Sequence, residues 1–216
     1  MCTDAYAQSS APSPAAVSAP ALSGKPSVTR QPETQAQKEL MQKLIQAAEK
    51  RPSYTVTYDP TYFILPYPGG DPPADKGVCT DEVVRCYRQV GIDLQKEVHE
   101  DMKANFSLYP KKWGLKKADT NIDHRRVPNL MVYFKRQGAA LPVTDNPADY
   151  QPGDLVTWNL RTDGDLPHIG IVVTTVSPDG QRHQMVHNIG EGPKNEDMLM
   201  TYKITGHYRY YGPNAK

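Results

Sequence analysis

One cysteine and two histidines in this sequence have the residue types that nucleophilic catalysis requires. Cys79 follows a stretch rich in proline and glycine and opens a helical pattern in which Val83, Val84 and Tyr87 share one side. The first backbone N–H groups of a helix lack intrahelical partners and carry partial positive charge, which favours a thiolate over a thiol. Because the thiolate is the reactive form, this position predicts a nucleophile at Cys79.

The alternative is that Cys79 is a small buried core residue, as most free cysteines are. Cys86 lies seven residues later on the same predicted helix, roughly 10.5 Å along its axis. That separation is too long for a disulfide, so Cys86 is interpreted as a core residue.

The two histidines lie in predicted strands that a turn at residues 177–180 joins. His168 begins an apolar run that ends at Val173, and His187 lies near the end of the next run. Both imidazoles should therefore lie toward the same end of one hairpin. Depending on the number of loop residues, either His187 or Asn188 shares a face with His168.

These residues supply the parts that acyl transfer needs. Cys79 is the candidate nucleophile, His168 the candidate base, and His187 the polar residue that keeps the base in the correct tautomer. The backbone N–H of Cys79 is available as an oxyanion donor because it begins the helix.

In the predicted elements that position these residues, helices come first along the sequence and strands come later. Helical patterns cover residues 33–50, 79–90, 94–102 and 128–137, and β-rich runs cover residues 155–158, 169–175, 184–189 and 207–211. This order predicts an α+β fold with antiparallel strands. We expect three regions: a disordered low-complexity tether at 1–32, an amphipathic helix at 33–52, and a catalytic domain at 53–213.

Charge and hydropathy exclude several classes of protein. The 216 residues include 25 basic and 24 acidic side chains, a net charge of +1, so no general attraction to nucleic acid is expected. No apolar run approaches the roughly 20 residues that span a bilayer. We expect a soluble monomer with no nucleic-acid partner, no cofactor and no metal.

Four motifs in this order resemble the NlpC-type cell-wall cysteine peptidases of the papain-like superfamily. They are Cys79 at a helix start, a Pro-Gly-Asp turn within residues 151–158, the strand that begins at His168, and the segment 186–188. The resemblance implies a papain-like core with N-terminal helices packed on an antiparallel sheet. It also implies a catalytic triad of Cys79, His168 and His187, with peptidoglycan as the substrate.

Three further segments, residues 77–81, 123–130 and 206–210, resemble an uncharacterised bacterial family of unknown function near that superfamily. The sequence departs from the NlpC-type pattern around the nucleophile. The usual Asp-Cys-Ser-Gly is Val-Cys-Thr-Asp at residues 78–81, which leaves the substrate specificity open.

Three charged residues are candidates for substrate binding. Arg125 and Arg126 precede a predicted helix, and arginine forks match the geometry of a substrate carboxylate. A structural salt-bridge cluster is the alternative for this pair. Asp81, in the first turn of the Cys79 helix, is a third candidate, although a favourable interaction with the helix dipole explains it more simply.

The N-terminus resembles that of a mature bacterial lipoprotein whose signal peptide has been removed. Cys2 follows the start methionine and precedes the low-complexity tether. The resemblance implies that Cys2 carries a lipid and attaches the protein to a membrane of the cell envelope, in the periplasm. The alternative is an ordinary exposed cysteine.

The sequence thus predicts a cysteine peptidase or amidase that hydrolyses amide bonds in peptidoglycan stem peptides or cross-links through an acyl-enzyme. Three alternatives remain: an acyltransferase that uses the same cysteine and histidine, a zinc site formed by one cysteine and two histidines, and a non-catalytic lipoprotein that binds the cell wall.

Overall fold

The structure is a computed structural model that describes residue 22 and residues 24–213. Cys2 and its predicted lipid lie outside the described residues. Within them are four α-helices: α1 Gln35–Lys50, α2 Cys79–Gln89, α3 Leu94–Ala104 and α4 Val127–Arg136. The strands are β1 Thr57–Tyr58, β2 Lys76–Gly77, β3 Ala140–Leu141, β4 Leu155–Asn159, β5 Pro167–Val176, β6 His183–Asn188, β7 Pro193–Glu196 and β8 Lys203–Tyr208.

Six of these strands form one antiparallel sheet in the order β3-β8-β4-β5-β6-β7. The short strands β1 and β2 pair separately and in parallel. The prediction of an α+β fold with an antiparallel sheet is confirmed. None of the helices described here has both the length and the apolar character needed to cross a membrane.

The central strand β5 is buried on both faces. Ile169, Ile171 and Val173 point toward the helices and join the larger hydrophobic core. Val172 points to the other face, where a smaller core contains Trp158 on β4. Because side chains alternate along a strand, neighbouring residues of β5 serve different cores.

Three of the four described helices, α1, α3 and α4, begin with a cap or a proline that the sequence encodes. Thr34 and Gln37 form a reciprocal capping box at α1. The Asp93 side chain accepts the N–H of Gln95 at α3, and α4 has Pro128 in its first turn. These devices explain why the helix starts were predictable to within a few residues.

Two regions differ from the sequence expectations. Strand β7 consists of proline, lysine, asparagine and glutamate, which had no strand pattern, and β8 begins four residues earlier than expected. Residues 24–32, predicted as tether, pack on the domain. The carboxylate of Asp149 accepts the backbone N–H groups of Ser27 and Val28, and Arg30 pairs with Asp154.

Asp154, in the turn before β4, is the buried anchor for this segment. Its carboxylate accepts hydrogen bonds from Arg30 at 2.9 and 2.6 Å, from Arg209 at 2.8 Å and from the N–H of Gln151 at 2.8 Å. His207 Nε2 lies 2.8 Å away. Burial alone would raise the pKa of Asp154, but the hydrogen bonds from His207 and Arg30 outweigh it and lower the pKa to about 2.

This shift predicts an acid-dependent contribution to stability. A carboxyl with a folded pKa of about 2 and an unfolded pKa of about 3.9 contributes about 2–3 kcal/mol above pH 5, which is lost as the pH falls through 4 toward 2. We therefore expect Asp154→Asn to lower the free energy of unfolding at pH 7 by at least about 2 kcal/mol. Urea unfolding at pH 7, 5 and 3 should show the gap from wild type narrowing with acid.

The matched control is Asp145→Asn, since Asp145 is an exposed carboxylate of the same region. It should change the free energy of unfolding little at any of the three pH values. A gap between wild type and Asp154→Asn that stays constant from pH 7 to pH 3 would contradict the assignment.

Candidate active site

Cys79 is the first residue of α2, and only 4% of its surface is exposed. Burial, the dominant effect, raises the pKa of the Cys79 thiol to about 12, and the nearby Asp81 carboxylate also raises it. The backbone N–H groups of Ile169, Thr80 and Cys79 oppose this shift. The thiolate expected from the helix start is therefore not the form present in this structure, because the cost of burying the charge exceeds the stabilisation by backbone N–H groups.

A buried ion pair fixes the start of α2. Arg125 Nε lies 3.0 Å from Asp81 Oδ1, and both side chains are 1% exposed. Asp81 Oδ2 accepts the N–H of Val78, the residue before the helix. The other two guanidinium nitrogens of Arg125 donate to the carbonyl oxygens of Thr61 and Asp59. The pair thus ties the loop after β1 to the residue that precedes Cys79.

This arrangement differs from the prediction that Asp81 and Arg125 bind substrate. All three nitrogens of the guanidinium are used by the protein, and the carboxylate is used by Arg125 and by the backbone. Arg125 therefore fits the alternative of a structural salt bridge. Arg126 takes no part in this ion pair.

A small cavity of about 190 Å³ borders Cys79. Its walls include Tyr58, Trp113, Arg126 and Pro167, the residue that precedes His168. Burial, together with the neighbouring Cys79 and Asp81, raises the pKa of Tyr58 to about 12. Tyr58 therefore keeps its proton and has an O–H to donate beside the sulfur.

The sheet brings His168 and His187 together. Strands β5 and β6 pair Ile171 with Val186, and continuing this register places Gly170 opposite His187. His168 lies two residues before Gly170, on the same face, and its Nε2 is 3.1 Å from His187 Nδ1. A Cβ atom at position 170 would lie 3.1 Å from His187 Cβ, tighter than most contacts, so glycine allows this approach.

Asn188, the other candidate for orienting the base, has a different role. Its side-chain oxygen accepts the N–H of Gly190 in the turn after β6. The register therefore selects His187 as the residue beside His168.

A carboxylate extends the histidine pair. Glu196 Oε2 on β7 lies 3.1 Å from His187 Nε2, at ion-pair distance although poorly aligned for a hydrogen bond. Since a carboxylate only accepts, it favours the tautomer of His187 protonated at Nε2. His187 Nδ1 then accepts a hydrogen bond from the N–H at His168 Nε2, and His168 Nδ1 is left as the basic nitrogen.

Both imidazoles are neutral at pH 7. Burial, and then the neighbouring His187, lower the pKa of His168 to about 3. Burial also lowers the pKa of His187, although Glu196 opposes this shift. A neutral His168 has a lone pair at Nδ1, but with a pKa of about 3 it is a weak base for a thiol with a pKa of about 12.

Cys79 and His168 both lie near the start of β5, but their side chains do not meet. The sulfur lies near the backbone N–H of Ile169. The His168 ring lies on the other face of the sheet, beside Trp158, with ring centroids 6.0 Å apart. No hydrogen bond in the described structure joins the sulfur to the His168 ring.

Sequence reasoning missed Tyr58, Trp113 and Glu196. Tyr58 ends a short strand whose partner, β2, had no strand signal. Trp113 lies in a segment without hydrophobic periodicity, and Glu196 lies in the unrecognised strand β7. Over the described ranges, no group of three or more His, Cys, Asp or Glu residues could hold a metal ion.

The tautomer assignment predicts a specific effect of Glu196→Gln. Removing the carboxylate removes the charge that favours protonated His187, so the pKa of His187 should fall further. The share of His187 protonated at Nε2 should fall as well. Imidazole nitrogen NMR across a pH series measures both changes.

Glu191→Gln is the matched control, because Glu191 is also an exposed carboxylate paired with Lys194 but has no contact with His187. Its histidine spectrum should match that of wild type. Unchanged His187 signals in Glu196→Gln would rule out Glu196 as the residue that sets the tautomer.

Comparison with known proteins gives one family. A family model described as a domain of unknown function, DUF1287, matches residues 45–210. The "Uncharacterized protein YijF" of Escherichia coli (strain K12) is 52% identical over 157 residues, which cover 73% of this chain and 75% of that protein. The matched range of the family model contains Cys79, His168 and His187. The chain belongs to the DUF1287 family.

Proposed function

We propose that the protein is a cysteine hydrolase with a papain-like, NlpC-type core that cleaves amide bonds in peptidoglycan stem peptides or cross-links. The observation that carries this proposal is the position of the Cys79 sulfur near the backbone N–H of Ile169, the residue after His168, at the wall of a cavity. The same strand carries His168 and, through it, the chain of His187 and Glu196.

The first half of the reaction forms an acyl-enzyme. The Cys79 sulfur attacks the amide carbonyl carbon as its proton passes to His168 Nδ1, so the thiol need not ionise beforehand. The carbonyl oxygen becomes negative and accepts hydrogen bonds from the N–H of Cys79 and the O–H of Tyr58. The C–N bond then breaks as His168 returns the proton to the leaving amine.

The second half releases the acid. Water attacks the thioester carbon and gives a proton to His168 Nδ1, the C–S bond breaks, and the sulfur regains its proton. Both halves require the His168 ring to approach the sulfur when substrate is bound. Among the described residues His168 Nδ1 accepts no hydrogen bond, and its Nε2 contacts His187 Nδ1, which supports this step.

The same proposal places the protein in the bacterial cell envelope. Peptidoglycan is the partner, Cys2 carries the lipid, and the residues before 24 connect that anchor to a monomeric domain. These assignments rest on the sequence resemblance and on the low-complexity composition of the N-terminal segment.

A non-catalytic protein that binds the cell wall is the second candidate. Two observations favour it: the burial and raised pKa of Cys79, and the absence of a hydrogen bond between Cys79 and His168 among the described residues. Under this proposal the cavity binds a wall fragment without cleaving it.

Digestion of purified peptidoglycan separates the two candidates. Wild-type protein and Cys86→Ala should release the same new fragments, because Cys86 is a buried thiol of the same helix outside the cavity by Cys79. Cys79→Ala should lower their yield at least about a thousandfold, since it removes the nucleophile. Mass spectrometry of the fragments identifies the bond cleaved.

Equal fragment yields from wild type and Cys79→Ala would reject the hydrolase. Sedimentation of wild-type protein with peptidoglycan, without any new fragment, would support the wall-binding candidate instead.

A further inference from the structure

Arg126 is a cation in the cavity beside Cys79 that has no hydrogen-bond or ion-pair partner among the described residues. It lines this cavity, and within residues 24–213 its guanidinium forms neither an ion pair nor a hydrogen bond, with Nη1 buried and unpartnered. Its neighbour Arg125, by contrast, has every nitrogen engaged. Leaving a partly buried charge unpaired costs free energy, which a bound anion would recover.

Trp113 holds the Arg126 side chain in one orientation. The guanidinium carbon lies 4.1 Å from the centre of a Trp113 ring. Stacking on an aromatic face leaves the N–H groups at the edge of the guanidinium plane free to donate in parallel. Two parallel donors fit the two oxygens of a carboxylate.

The Asp123 and Asp119 carboxylates, whose charges act on Arg126, form hydrogen bonds with other groups, although Asp123 Oδ1 has no partner among the described residues. Asp123 Oδ2 contacts His99 and accepts the N–H of Asp119. Asp119 accepts the Tyr62 hydroxyl. Burial lowers the pKa of Arg126, and the Asp123 and Asp119 carboxylates only partly oppose this shift. Neither carboxylate is at ion-pair distance from Arg126 in the described structure.

The cavity is small, so a group held by Arg126 lies within a few bonds of a group held at the sulfur. Its volume is about 190 Å³, and Cys79 and Arg126 both line it. A ligand that fills the cavity therefore touches both residues.

We propose that Arg126, stacked on Trp113, binds a free carboxylate of the substrate next to the amide bond that Cys79 attacks. The preferred substrates are then acyl donors that carry a free carboxylate within a few bonds of that amide, and their carboxamide forms are poor substrates. The position of the amide rests on the proposed function, whereas the carboxylate site is testable without it.

The kinetic test compares two synthetic stem tetrapeptides, one with free carboxylates and one with the same groups as amides. Wild-type protein should cleave the free form with a kcat/KM about 10- to 100-fold higher. Arg126→Gln should lose this preference, mainly through a lower kcat/KM for the free form. Arg126→Lys, which keeps the charge but loses the planar fork, should retain part of it.

Lys203→Gln is the charge-matched control, because Lys203 is exposed and does not line the cavity. It should keep the full preference for free carboxylates. The unfolding midpoints of the Arg126 variants should match wild type, because Arg126 makes no side-chain cap at α4.

A binding test distinguishes failure of this inference from failure of the proposed function. Calorimetric titration of Cys79→Ala with each peptide should show tighter binding of the free form, and adding Arg126→Gln should abolish the difference. Carboxylate-selective binding without cleavage by wild type would keep the inference and reject the hydrolase. Cleavage with equal rates for both peptides would keep the hydrolase and overturn the inference, and binding of neither peptide would also overturn it.

Discussion

The buried ion pair between Asp81 and Arg125 is the constraint on which the candidate site depends. It joins the N–H of Val78 to the carbonyl groups of the loop after β1, so one contact sets both the start of α2 and a wall of the cavity. Removing either partner would leave a buried charge uncompensated, at a cost of about 3–5 kcal/mol. The position of Cys79 is therefore fixed by charge pairing as well as by hydrophobic packing.

The sheet supplies the second half of the site through an equally specific contact. Gly170 leaves the space that lets His187 reach His168 across the two central strands. Glu196 on the neighbouring strand lies at ion-pair distance from His187 and biases its tautomer, which sets the direction of the hydrogen bond between the two histidines. The imidazoles and the thiol are all neutral, so the Cys79 thiol keeps its proton in this structure.

The predictable parts of this protein were those encoded by local patterns. The end of the proline- and glycine-rich stretch and the helix periodicity predicted the start of α2 at Cys79, and alternation with a turn predicted the hairpin of His168 and His187. The thiolate at Cys79 was wrongly predicted because a helix start is local, whereas burial depends on the whole fold. Glu196, the partner of His187, and Asp154, the partner of Arg30, were not predicted in these roles. Their contacts join residues that are distant in the sequence, so a local pattern does not indicate them.

The proposal that Cys79 forms an acyl-enzyme is tested by the covalent state of Cys79 during turnover. Wild-type protein is mixed with a free-carboxylate stem tetrapeptide, quenched in acid after milliseconds to seconds, and mapped by peptide mass spectrometry. We expect the peptide that contains Cys79 to carry an acyl group with the mass of the donor fragment. We expect no acyl group on Cys86. Consumption of the tetrapeptide with no acyl group on Cys79, or no consumption at all, would contradict it.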